Sequence, residues 1–258
     1  MIAFAKRAAY VLALPIVLFG AWFVLSDGSE SFYSPPLRDI LTAFGDTWQP
    51  DRLRADVAPS LVRLFTGYAL AAVIGIALGV AIGMSRRLRA TVEPVLEFFR
   101  AIPPPVLVPV IMLFAGIGDG MKVIVIVFGC IWPILLNTVE GVRAVDSVVL
   151  DTARAYGVTG PARITKVILP SAGPQIAAGL RQALSIAIIL MVISEMFAAS
   201  NGLGFTIVQF QRSFAIPEMW SGIILLGLLG FVLSVLFRLA EQRALRWYEG
   251  LRAAQRQG

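Results

Sequence analysis

The residue types in this chain leave little room for covalent chemistry. There is no histidine, which removes His-dependent hydrolysis, imidazole proton relays and His metal sites. The one cysteine, Cys130, cannot form an intrachain disulfide or a CxxC metal or redox pair. No G-x-S-x-G turn occurs to expose a nucleophile, and no G-x4-G-K-[ST] loop to cradle nucleotide phosphates. The sequence offers no catalytic residue, no metal site and no cofactor site. What remains are polar side chains set in apolar runs. Glu195 follows thirteen uncharged residues, 182–194, and an acid in such a setting is by default a functional candidate. It equally suits a buried structural carboxylate that accepts bonds from Ser194, Ser200 or the amides of 202–204. Asn137 and Arg63 sit at the ends of two further apolar runs.

These side chains must be carried by helices that cross a membrane. Of 258 residues, 58% are apolar and 15% charged, against about 25% charged in a soluble domain. Mean hydropathy is +0.81. Six windows, 8–26, 64–85, 101–118, 123–139, 182–194 and 219–237, contain no Asp, Glu, Lys or Arg. Most approach the ~20 apolar residues that a spanning helix needs, and six cannot be hidden in a water-soluble fold of this size. The expected fold class is an all-α polytopic membrane protein with six transmembrane helices in the lipid bilayer. The pI near 10.0 does not indicate nucleic acid, because the basic residues cluster at span ends. With the N-terminus in the cytoplasm, inside segments collect fourteen Lys and Arg, and outside segments six: Arg38, Arg52, Arg54, Arg63, Lys122 and Arg212. That bias puts both termini inside. The first apolar segment exceeds the roughly 7–15-residue core of a cleaved signal peptide and reads as a retained span.

Three regions follow: 1–60, a first span and an outside segment; 61–240, the core transmembrane domain; and 241–258, a basic cytoplasmic tail. In the outside segment Leu37, Ile40, Leu41, Phe44 and Trp48 recur at helical spacing, which suits an interfacial helix with Trp48 at headgroup level. The second span, about 60–84, carries Gly75, Gly79 and Gly83 as a helix-packing groove, open to a helix of the same subunit or of a second copy. Beyond Arg86-Arg87-Leu88-Arg89 a polar helix places Arg89/Glu93 and Glu97/Arg100 at pairing distance. Pro103, Pro104 and Pro105 remove three backbone donors and must break the helix where the third span begins. Residues 116–120 form a tight outside turn, and the fourth span covers about 121–140, with Asn137 near its inner end. Asn137, Glu195 and Arg63 are the candidates for lining a translocation path. Arg63 either attracts an anion or snorkels to the interface, and a bare carboxylate at Glu195 would repel an anion.

The inside loop 141–172 is the most informative segment. Asp146 can cap a helix over 147–156 that Gly157 stops. Gly160-Pro161 starts a second helix, which is expected to end near Leu169-Pro170. Most loops are about 4–6 residues long, so a structured loop of this size is either a decoration or a docking platform for another protein.

The loop residues carry a family resemblance. Asp151-Thr152-Ala153, then Gly157, then Val167-Ile168-Leu169-Pro170 resembles the E-A-A-x3-G-x9-I-x-L-P loop of permeases in ATP-binding-cassette (ABC) importers. Ala153, Gly157, Leu169 and Pro170 match, while Asp151, Thr152 and Val167 replace Glu, Ala and Ile. The stretches Ser60-Leu61-x-Arg63-x3-Gly67, Gly75-x3-Gly79-x3-Gly83, Arg100-Ala101-Ile102-Pro103 and Gly116-Ile117-Gly118 are similar to the nitrate/sulfonate/taurine-type branch. So are Gly179-Leu180-Arg181, Ser194-Glu195-Met196 and Asn201-Gly202-Leu203-Gly204. The resemblance implies a MetI-like fold in a bacterial cytoplasmic (inner) membrane, multi-pass. It also implies a loop in which Asp151, Thr152, Ala153, Tyr156, Gly157, Leu169 and Pro170 couple to a separate ABC ATPase subunit. The implied assembly has two ATPase copies, a permease homodimer and a periplasmic or lipid-anchored substrate-binding protein. The implied cargo is a small organic anion, sulfonate-, taurine- or nitrate-like. A secondary transporter is the alternative, but it would carry internal repeats and paired broken helices, and the prolines at 103–105 supply one break. A membrane enzyme would need a nucleophile–base pair that is absent.

Overall fold

Proline and glycine decide where the helices break and how closely they approach. The computed structural model describes residues 13–14, 17–29, 31–197 and 199–248. Helix α1 is Val17–Ser26, and residues 8–12 and 15–16 of the expected first span lie outside the described residues. α2 is Leu37–Thr47, and α3 is the long helix Pro50–Met84. α4, Arg86–Arg100, is followed by a 3-10 turn, Pro104–Leu107, and by α5, Val108–Ala115. α6 is Asp119–Arg143, α7 is Ser147–Ala155 and α8 is Gly160–Phe197. α9, Leu203–Arg212, and α10, Ile216–Ala244, complete the order. Every regular element among the described residues is helical.

Four helices, α3, α6, α8 and α10, are long and apolar enough to cross a membrane. The expected third span is not a straight crossing. Its four-residue 3-10 turn and eight-residue helix reach about 20 Å, short of a ~30 Å hydrocarbon core. It meets α4 at 80°, because the prolines at 103–105 leave the backbone without donors at the corner. Among the described residues the sequence count of six therefore becomes four crossings plus this bent pair. The fourth crossing is longer than expected, since Asp119 and Gly120 belong to the first turn of α6 and not to the preceding turn.

α3 and α6 run parallel and α8 returns against α6. The groove on α3 is filled from within the chain. A Cβ on Gly67, Gly75, Gly79 or Gly83 would lie 2.7, 2.9, 2.6 or 2.8 Å from side-chain atoms of Ile126, Ile134, Thr138 and Val142. Each glycine meets its own α6 residue in constant register, so the two backbones approach as far as small residues permit. On the other face of α6, a Cβ on Gly179 would sit 2.7 Å from the Pro133 carbonyl. Leu64, Ile126, Ile134, Leu190 and Met191 fill the core between the three helices.

Two π turns, Leu53–Val57 and Ile164–Ile168, lie just ahead of Pro59 and Pro170. Proline lacks a donor and crowds the carbonyl four residues back. Widening the preceding turn, with the Leu169 N–H donating to the Ile164 carbonyl, lets the helix continue. The second loop helix therefore does not end near Leu169-Pro170: it runs on as α8. Trp48 also departs from expectation. It is 7% exposed and its Nε1–H donates to Ser221 Oγ at 3.0 Å, a bond that offsets the cost of burying the indole N–H. On α4, Arg100 pairs with Glu97 at 2.8 Å, whereas Arg89 and Glu93 form no ion pair.

Candidate functional site

Two groups of the sequence-derived candidates lie at opposite ends of the α3–α6–α8 bundle. At the first end Arg63 of α3 and Glu195 of α8 are 4% and 1% exposed. Arg63 Nη1 donates to Glu195 Oε1 at 2.7 Å, and its Nη2 lies 2.7 Å from Oδ1 of Asp119, in the first turn of α6. The same guanidinium donates to the Asn201 carbonyl at 3.1 Å and to the Asn201 side chain. Glu195 accepts further bonds from the Ser60 hydroxyl at 2.8 Å and the Gly204 N–H at 3.0 Å. Ser60 Oγ accepts in turn from the Leu203 N–H at 2.9 Å.

The Asn201-Gly202-Leu203-Gly204 stretch owes its glycines to this carboxylate. Gly202 sits at φ +118°, where a Cβ would fall 2.5 Å from the Glu195 carboxyl carbon, and a Cβ on Gly204 would meet the Val192 carbonyl at 2.4 Å. Only glycine allows the turn to wrap this tightly. Buried charges persist when paired and hydrogen-bonded, and losing one partner costs about 3–5 kcal/mol. The network thus ties α3, α6, α8 and the 199–204 turn together.

Neither sequence reading of Arg63 fits that geometry. Its guanidinium is committed to Glu195, Asp119 and Asn201, so it neither snorkels nor waits for an anion. Glu195 has a structural setting, but of its expected donors only the Gly204 amide is used. Ser194 Oγ bonds the Met191 carbonyl instead. The partners that matter, Ser60 and Arg63, lie 135 and 132 positions away. A cavity of about 400 Å³ opens beside the network, lined by Arg63, Asp119, Lys122 and Asn201 among others. Lys122 is turned onto the carbonyls of Ile117 and Gly118 at 3.2 and 3.3 Å.

Asn137 lies apart from this network. Its Nδ2 donates to the Pro133 carbonyl at 2.8 Å and to Gln182 at 3.3 Å, and its Oδ1 accepts from Gln175 at 3.1 Å. It borders a cavity of about 600 Å³ with Arg100, Trp132 and Gln182 on the walls. Trp132 Nε1 is buried without a partner, and its ring stacks on Phe99 at 6.4 Å. Sequence reasoning missed Gln175 and Gln182, although their spacing of two helical turns on one face of α8 was available as a signal.

The loop occupies the second end. Asp146 Oδ1 accepts from the Val148 N–H at 2.8 Å and starts α7. α7 stops in a Schellman turn: the Val158 N–H reaches the Ala153 carbonyl at 2.8 Å and the Gly157 N–H the Arg154 carbonyl at 3.0 Å. Gly157 and Gly160 have φ of +73° and +56°. Ala153 is buried beneath the helix, while Asp151 is exposed and pairs with Arg154 at 2.9 Å. Thr152 back-bonds the Val148 carbonyl. Tyr156 is 83% and Val148 67% exposed, an apolar face without cover. Leu169 and Pro170 do not join that face: Leu169 packs at the root of α8 near Val80, Val142 and Ile168.

Residues 71–246 match the family described as "binding-protein-dependent transport system inner membrane component". The chain belongs to that family. Curated relatives agree over nearly the whole length. The putative aliphatic sulfonates transport permease protein SsuC of Bacillus subtilis is 30% identical over 93% of this chain and 88% of its own. The taurine transport system permease protein TauC of Escherichia coli is 29% identical over 90% and 87%. The nitrate import permease protein NrtB of Synechocystis is 29% identical over 88% and 85%. A chain of the MetNI methionine ABC transporter, solved in an inward-facing conformation, superposes with a TM-score of 0.63 at 22% identity, covering 75% of this chain and 94% of that one. The fold is therefore MetI-like. The matched region holds α7 and Glu195 but starts beyond Ser60 and Arg63.

Proposed function

We propose that this chain is the membrane subunit of an ATP-driven ABC importer and forms the path for a small organic anion. The observation that carries the reading is the exposed, rigidly capped α7, hinged between α6 and α8 in a member of this family. A short stiff helix joined to two spans transmits movement as a lever, and its uncovered Tyr156 and Val148 suit insertion into a partner's groove. The energy source is a separate ATPase in two copies, since this chain has no loop to hold nucleotide phosphates. A periplasmic or lipid-anchored binding protein delivers cargo at the Arg63 end, which faces outside, and α7 faces the cytoplasm, as the basic bias requires. The permease works as a homodimer. Its seam lies elsewhere than the 75–83 glycine groove, which α6 already fills. Relatives named for aliphatic sulfonates, taurine and nitrate support an oxyanion cargo. The test is reconstitution of the chain with its ATPase and binding protein in liposomes. Accumulation of taurine or an alkanesulfonate that requires ATP is the expected result, and ATP-independent accumulation by the chain alone would reverse the assignment.

A further inference from the structure

We infer that an arginine-lined cavity at the α7 end of the bundle is a binding site for the phosphate group of an anionic phospholipid. The cavity, about 380 Å³, forms where the end of α3, the start of α4, the end of α6, α7 and the root of α8 converge. Arg86, Arg89, Arg143 and Arg163 all line it. Among the described residues the one carboxylate paired with any of them is Glu140, 2.6 Å from Arg143 on an exposed side. The Nε of Arg163 is buried with no hydrogen-bond partner. Leaving such a donor unmatched is costly, and a tetrahedral oxyanion supplies the acceptors that a guanidinium fork is shaped to engage. The cavity also straddles the N-terminus of α4, a fifteen-residue helix, where the helix dipole and free backbone donors favour an anion.

Its remaining walls favour a lipid over free phosphate. Met84, Val142, Leu150 and Ile168 form an apolar side, and Met84, 46% exposed, carries it to the surface of the bundle. A phosphate set among the arginines with acyl chains along that flank satisfies both halves. Basic pockets between spans on the cytoplasmic side take lipid headgroups in this way. The inference uses the membrane placement of the chain and is independent of cargo and of coupling.

Native mass spectrometry of the intact detergent-solubilised protein, titrated with phosphatidylglycerol or with phosphatidylcholine of the same acyl chains, tests it. Wild type should prefer phosphatidylglycerol by about tenfold or more, and Arg86→Gln/Arg163→Gln should lose roughly 25-fold in affinity for it, at about 1 kcal/mol per basic residue. Arg243→Gln, which removes one such charge from the exposed end of α10, should change little. Equal binding of the two lipids by wild type, or an unaltered affinity in the double variant, overturns the site. If the double variant does not fold, the wild-type comparison and Arg89→Gln decide the matter alone. Displacement of phosphatidylglycerol by inorganic phosphate would make the occupant free phosphate and overturn the lipid assignment. Unchanged lipid binding with loss of the ATPase from the double variant would make the cavity a protein contact, and would equally overturn it.

Discussion

Removing the carboxylate of Glu195 leaves the Arg63 guanidinium, 4% exposed, without its most buried partner. Glu195→Met and Arg63→Met should each destabilise the fold by about 3–5 kcal/mol, because either strands a buried charge. Arg63→Met/Glu195→Met should cost less than the sum of the two, since neither charge is then left alone. Asp119→Asn should be mild, about 0–1 kcal/mol, because that side chain is 71% exposed and solvent screens it. Thermal unfolding of the purified variants in detergent gives the order. Additive losses in the double variant would mean that the two residues do not act as a pair. Each residue stood out in the sequence, as a charge bordering an apolar run, yet their pairing did not. It spans 132 positions and depends on how α3 packs on α6 and α8, which no local spacing encodes. Gly157 was legible, because a helix stop is a property of a few neighbouring residues.

The helices were legible where local rules act alone and misread where a turn could relax. Asp146 and Gly157 set the bounds of α7 through capping and left-handed backbone, and Gly160 opens α8. Pro170 looked like a terminator because an ideal α-helix cannot accept it, but the π turn at Ile164–Ile168 relieves the clash. The prolines at 103–105 gained no such relief and break the chain where the third span was expected to begin, but the helix that follows is too short for a straight crossing. The glycine ladder showed that something packs on α3 without showing what, since small residues at four-residue spacing serve either a neighbouring helix or a second copy. Its occupant makes a prediction at this scale. Gly79→Ala should destabilise by about 1–3 kcal/mol through overpacking, since its Cβ would stand 2.6 Å from Thr138. Gly227→Ala on α10, with nothing within 4 Å, should not. Equal unfolding temperatures for both variants would contradict the α3–α6 register.

For the whole molecule, orientation and coupling are linked in the proposed assembly, where the Arg63 end faces the binding protein and α7 the ATPase. Single cysteines at Ser31 and Ser147 should react with an impermeant thiol reagent from outside and from inside, respectively. Cys130→Ala supplies a clean background, because Cys130 is buried and bonded to the Ala183 carbonyl. Labelling of both positions from one side would undo the topology. The proposed coupling rests on the α7 stop. Gly157 has φ +73° with open space around its Cβ position, so a substitution there strains the backbone by about 1–2 kcal/mol without any internal clash. An aspartate adds a charge that the helix C-terminus disfavours. The decisive measurement is co-purification of the ATPase with Gly157→Asp permease, read alongside uptake. The expected result is a permease that still inserts and unfolds near the wild-type temperature, retains about tenfold less ATPase and transports correspondingly less. Wild-type association together with wild-type uptake would show that α7 is a decoration and would contradict the coupling role.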